Sequence, residues 1–207
     1  AEWLTAAGFA EHRTNSLLPR RHQSEAAVPM FNPLSEENAI LRDSLVHSLL
    51  EVAAYNSNRQ QTVLAGYEFG RTYHAVPEGH YTEREWLALY RTGYTHEPAW
   101  NAPSQPVTFF DLKRDAWQVV RWLQLSAIDR AADDHEAQFP FAYQRIISVG
   151  KRIVGRYGQL APALARPYGI KDPVYYAEFD WTTLLALLGL GETAKPGRRT
   201  PYQEIPK

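Results

Sequence analysis

The stretch from Asn32 to Val76 most constrains what this chain can fold into, because a helical stripe runs directly into a segment built for a sheet. Asn32-Pro33 is a turn-initiating pair, and Ser35 followed by Glu36-Glu37 puts carboxylates where a helix start favours them. Leu41, Leu45, Leu49 and Val52 recur at steps of four and three, and Val46, Leu50 and Ala53 widen the stripe. Arg42, Asp43, Glu51 and Asn56 are left for solvent. The spacing predicts a long amphipathic helix, ended by Asn56, Asn58 and Arg59. Thr62 to Tyr73 then predicts a strand rich in β-branched and aromatic residues. A helix packed on a sheet is what this stretch requires.

The rest of the chain supplies more of both. Ala1 to Leu4 reads as the last turns of a helix that Gly8 ends, so the chain is expected to be a piece of a longer one. Ala10 to Leu18 reads as a strand, Arg20 to Glu25 as a polar loop and Val28 to Phe31 as a short strand. Pro77-Glu78-Gly79 marks a turn before a strand over Glu85 to Tyr94. His96 to Pro106 is proline-rich and irregular, and carries Trp100. Phe109 to Leu125 has a helical apolar face with Asp111 in its first turn. Tyr143 to Val149 and Arg152 to Tyr157 flank Gly150-Lys151 as a hairpin. Ala161 to Arg166 predicts a short helix, Pro173 to Phe179 a strand and Trp181 to Leu188 a closing helix. Antiparallel strands with interspersed helices define an α+β domain over 1–190, and 191–207 has the composition of a linker.

Length and charge bound the function only loosely. The 207 residues carry a formal net charge of −1, so no global basic field draws the chain onto nucleic acid. Cysteine is absent, which removes disulfides, thiolate catalysis and cysteine-ligated zinc together. The apolar run near Leu184 to Leu190 is too short to cross a bilayer, and a soluble protein is expected.

The spelling of the blocks goes further. NPLSEENAILRDSL, a helix ending in AYNSNR, GYEFGRTY, FFDLKRDAWQVV, YGQLAP and VYYAEFDWTTLL, with Gly8-Phe9 and Glu11 ahead of them, stand in one order across nearly the whole chain. Together they closely resemble the catalytic-like module of bacterial phenylalanine–tRNA ligase β chains. The resemblance implies a class II aminoacyl-tRNA synthetase-like antiparallel sheet flanked by helices. It also implies membership of a cytoplasmic (αβ)2 enzyme that joins phenylalanine to tRNA(Phe) with ATP and Mg2+, the α chain performing the chemistry. The linker would lead to a C-terminal tRNA-binding domain. Leu4, Ala7 and Phe9, with the exposed side of Asp43 to Arg59, are the expected contacts with the α chain.

Catalytic class II members carry an arginine on the strand spelled here GYEFGRTYHAV, because a guanidinium fork both neutralises and orients a phosphate. Here His74 stands at the arginine position and Val76 at the acidic one. Neutral imidazole offers one donor and no fork. Arg71 is next door, but strand alternation turns it to the opposite face from Thr72. The glycine-rich motif of those enzymes has one counterpart, Gly189-Leu190-Gly191-Glu192-Thr193-Ala194-Lys195-Pro196, with Thr193 for a glycine and Pro196 for the arginine. The module is therefore expected to hold no catalytic, cofactor or metal residues of its own.

Other readings fall short. GLGETA matches a dinucleotide fingerprint, but a helix precedes it and Pro196 follows. Asp129, Asp133, Asp134, His135 and Glu136 cluster without calcium-loop spacing and read as a solvated segment. Arg13, Arg20, Arg21 and His22, and Arg198-Arg199, are candidate phosphate contacts, solvated surface being the plainer reading. Trp3, Trp86, Trp117, Trp122 and Trp181 read as core. The alternatives to a silent scaffold are a catalytic synthetase domain whose ATP ligands are displaced to Arg42 and Arg71, and a stand-alone regulatory binding module of the same fold.

Overall fold

A computed structural model of the chain describes residues 1–76, 80–133 and 141–190. The frame is a seven-stranded sheet in the order β1-β5-β6-β10-β9-β8-β7. Its strands are β1 (Ala10–Glu11), β5 (Val63–Val76), β6 (His80–Gly93), β7 (Ile128–Ala131), β8 (Phe141–Val149), β9 (Arg152–Leu160) and β10 (Tyr175–Asp180). Only β1 runs parallel to its neighbour β5; every other pairing is antiparallel. A small second sheet, β2-β4-β3, joins Leu17–Leu18, Ile40–Leu41 and Val28–Pro29.

Alternation along the strands divides the interior into two cores. Ala65, Tyr67, Leu87 and Leu89 face one side, under α1 (Glu2–Ala6), α3 (Phe109–Trp122) and α5 (Trp181–Leu187). Leu64, Ala88 and Tyr90 face the other, under α2 (Val46–Ser57) and α4 (Pro162–Ala165). Helix α3 begins with the Asp111 carboxylate accepting from the Thr108 N–H at 2.9 Å and from its hydroxyl at 2.7 Å, which satisfies donors left open at a helix start. The hairpin between β8 and β9 turns at Gly150, whose φ of 60° suits a residue without Cβ.

The α+β architecture agrees with the sequence reading, and several boundaries do not. The long helix begins at Val46 rather than after Ser35. Leu41, the first tooth of the stripe, belongs instead to β4, because the Ile40–Leu41 pair is hydrogen-bonded between β2 and β3. Tertiary pairing overrides a helical period of this kind. The single strand expected over Ala10 to Leu18 is two dipeptide strands in different sheets, β1 and β2. Strand β6 starts earlier, at His80, and pairs with β5 along the whole length of both. Strand β7 was not anticipated. The Pro77-Glu78-Gly79 turn and the 191–207 linker lie outside the described residues. No described helix is long and apolar enough to cross a membrane.

Candidate functional site on the central sheet

The site is built on β5, whose even-numbered residues Glu68, Gly70, Thr72 and His74 share one face. At its inner end the Glu68 carboxylate meets Arg42 at 2.9 Å, and both are almost fully buried, 1 % and 3 % exposed. The Arg42 guanidinium also donates to the Arg71 carbonyl at 2.9 Å and to the Thr14 hydroxyl at 2.7 Å. That hydroxyl in turn donates to Glu68 at 2.7 Å. Each buried charge is paired and hydrogen-bonded, the condition under which burial is tolerated. Gly70 makes room for it: a Cβ there would lie 2.6 Å from the Arg42 terminal nitrogen.

Further out, the Trp86 indole N–H donates to the Thr72 hydroxyl at 2.9 Å, and that oxygen lies 3.1 Å from His74 Nε2. The Thr72 hydroxyl thus links the indole to the imidazole, accepting from Trp86 and sharing a hydrogen bond with His74 Nε2. Burial lowers the His74 pKa, with Asp43 opposing and Arg84 reinforcing, so the ring is held neutral. The cleft beside it has a volume of ≈ 450 Å³ and is walled by Asp43, His47, Arg156 and Glu178 among others. Arg156 is committed to Glu178 at 3.4 Å. Burial raises the Glu178 pKa, against the pull of Arg156 and of the Tyr176 hydroxyl.

Arg71 lies on the other face of β5, exposed and paired with Glu85 at 3.0 Å and Glu83 at 3.6 Å. Val76 is at the outer end of β5, opposite His80. Tyr67 and Phe69 share Arg71's face, so they do not line the surface that carries His74. Thr193 and Pro196 lie outside the described residues. The helix that the central strand β10 feeds is α5, capped by Asp180, whose carboxylate accepts from the Thr183 N–H at 2.8 Å. Neither glycine nor arginine heads it.

The remaining sequence candidates disperse. Leu4 and Phe9, 3 % and 2 % exposed, are buried in this module's own core, and Ala7 packs against it. The first two therefore offer no surface to another chain, because Gly8 turns the segment back onto the sheet. Arg20 and Arg21 face Glu36 and Glu37 at 3.4 and 3.2 Å. The His22 ring lies tilted against His47, ring centroids 4.2 Å apart. Asp129 is not in a solvated segment but in β7, where Arg145, Lys113 and Tyr157 contact it at 2.6, 3.0 and 3.0 Å. Burial opposes its ionisation, and those three bonds outweigh burial and hold its pKa low. Residues 134–136 lie outside the described residues, and among the described ones no group of three or more His, Asp or Glu could hold a metal ion. Trp122 is exposed at the end of α3, and Trp100 is 98 % exposed. Sequence reading missed the Arg42–Glu68 pair. Its one signal was Glu68, a lone carboxylate between Tyr67 and Phe69; the helical period assigns Arg42 to solvent.

A seven-stranded, largely antiparallel sheet with helices on both faces defines a class II synthetase fold. Two solved structures of the pyrrolysyl-tRNA synthetase of Desulfitobacterium hafniense share it, with TM-scores of 0.63 and 0.65 at 15 % identity. They cover 92 and 90 % of this chain and 68 and 67 % of theirs. Sequence narrows the class. Residues 1–181 match the phenylalanyl-tRNA synthetase β chain CLM domain, and the chain belongs to that family. It is 34 % identical over 188 residues to the phenylalanine–tRNA ligase β subunit of Lactiplantibacillus plantarum, 90 % of this chain and 22 % of that one. To the β subunit of Dehalococcoides mccartyi it is 31 % identical over 208 residues, 97 % of this chain and 26 % of the other. The chain thus spans about a quarter of the relatives it matches.

Proposed function

We propose that this chain is a non-catalytic scaffold within a phenylalanine–tRNA ligase β chain. It would support aminoacylation of tRNA(Phe) in an (αβ)2 enzyme of the cytoplasm whose α chain uses ATP and Mg2+. The observation that carries the reading is the β5 face. At the position where a phosphate would need a guanidinium there is a neutral His74, and the buried Arg42 behind it is tied to Glu68. Polyphosphate does not fit such a surface: Arg156 is already paired, and Asp43 adds a carboxylate to the same cleft. A catalytic domain with displaced ligands would draw on Arg42 and Arg71, which wall one cleft, but Arg42 is already spent on Glu68 and Arg71 on Glu85 and Glu83.

What the module supplies instead is shape. A sheet packed on both faces is a rigid platform, and exposed aromatic side chains stand on either side of it, Tyr55 on α2 and Trp122 on α3. Residues 191–207 would connect it to a tRNA-binding domain. The test is ATP–pyrophosphate exchange with phenylalanine, run on the full β chain alone and with its α chain. Exchange only in the assembled pair is expected. Exchange by the β chain alone would overturn the scaffold reading, and a β chain that never assembles with α would point to a stand-alone binding module.

A further inference from the structure

Strand β5 pairs with β6 along all 14 of its residues, but its other edge is covered only near the two ends. At the inner end β1 pairs with Gly66 and Tyr67, and the His12 N–H donates to the Tyr67 carbonyl at 2.8 Å. At the outer end the Tyr73 and Ala75 N–H groups donate to the Arg42 and Ala26 carbonyls, each at 2.8 Å. These partners all belong to odd-numbered residues, so the groups of β5 that point away from β6 are those of the odd residues. Between the covered ends they are the N–H and C=O of Phe69 and Arg71. The Arg71 carbonyl is taken by Arg42. The N–H groups of Phe69 and Arg71 and the carbonyl of Phe69 have no partner among the described residues.

A cleft of ≈ 510 Å³ lies over this gap. The gap itself, from Tyr67 to Tyr73, spans roughly 20 Å of strand. The walls of the cleft are chemically uneven. Arg42 is satisfied by Glu68, and Arg71 by Glu85 and Glu83. Arg13, exposed on the rim, makes no ion pair among the described residues and leaves one unopposed positive charge. Phe69 and Trp181, in edge contact at 4.9 Å, form an apolar wall beside it. Free strand-edge groups call for extended polypeptide, the cation for a carboxylate and the aromatic wall for a large apolar side chain.

We propose that a short extended, carboxylate-bearing segment of the α chain adds to β5 here, pairing with Phe69 and Arg71 and placing its acid on Arg13. The inference rests on the reading above that an α chain is the partner, and it specifies where and how that chain engages. Amide hydrogen exchange on the full β chain, alone and assembled with α, tests it. The Phe69 and Arg71 amides should exchange about tenfold slower or more in the assembly, as newly bonded strand amides do. Arg13→Glu should weaken assembly about tenfold and Arg13→Lys should largely preserve it. An assembly in which both amides keep their free exchange rates would overturn the proposal and leave the scaffold reading intact. If no assembly forms, the scaffold reading fails and takes this inference with it.

Discussion

Arg42 carries more of this module's character than any other residue. It is a buried cation held by one carboxylate, one hydroxyl and two carbonyls, so removing it strands Glu68 without a counter-charge. Arg42→Ala should destabilise the full chain by about 3–5 kcal/mol, read from urea unfolding. Replacing both partners by apolar residues of similar volume, Arg42→Met with Glu68→Leu, should be close to neutral. That contrast separates a structural ion pair from a functional one. Gly70→Ala would press a methyl into the same guanidinium and should cost about 1–3 kcal/mol.

At the scale of elements, the segment from Pro19 to Ala26 is pinned to the start of α2 by imidazoles. His22 packs tilted against His47, His47 Nδ1 lies 2.8 Å from the Tyr168 hydroxyl, and that hydroxyl lies 3.4 Å from His22 Nε2. Burial, and then the neighbouring His22, lowers the His47 pKa to about 4, with Asp43 opposing. A folded pKa below the unfolded 6.5 means that the unfolded chain binds more protons between these values. Stability is therefore full above pH 6.5 and falls as the pH drops towards 4, by up to about 3 kcal/mol from this ring. Unfolding midpoints measured across that window should show the loss, and His47→Phe should flatten it. Elements with one strong period were legible in the sequence: β5, α3, the β8–β9 hairpin and α5 all lie near their expected places. Where Leu41 served a helical stripe and a sheet equally, only its pairing across β4 decided, and a single sequence does not display pairing. The degenerate His74 could be read directly from its motif. The Arg42–Glu68 pair could not, because its members are far apart in the chain and meet only through the fold.

The molecule as a whole has a class II synthetase frame, and on the scaffold reading proposed above one face of it carries no chemistry. Restoring one residue should not restore the chemistry. His74→Arg in the full β chain is expected to leave ATP–pyrophosphate exchange without α at background. The new guanidinium would face Asp43 and the Arg156–Glu178 pair rather than a second cation aimed at a phosphate. A rise well above background would show that the loss is a single-residue matter. Strand β5 adds a constraint of another kind. Its odd residues Ala65 and Tyr67 fill the interior beneath α1, α3 and α5, while Glu68 on the other face holds Arg42 and Thr72 contacts His74. Slipping the strand by one position would thrust Tyr67 into the buried surroundings of Arg42 and drive Glu68 into hydrocarbon. Side chains along it can change one at a time without disturbing their neighbours' faces, but its residue count is locked. Insertions and deletions should be absent there even among distant homologues that share no chemistry at this site.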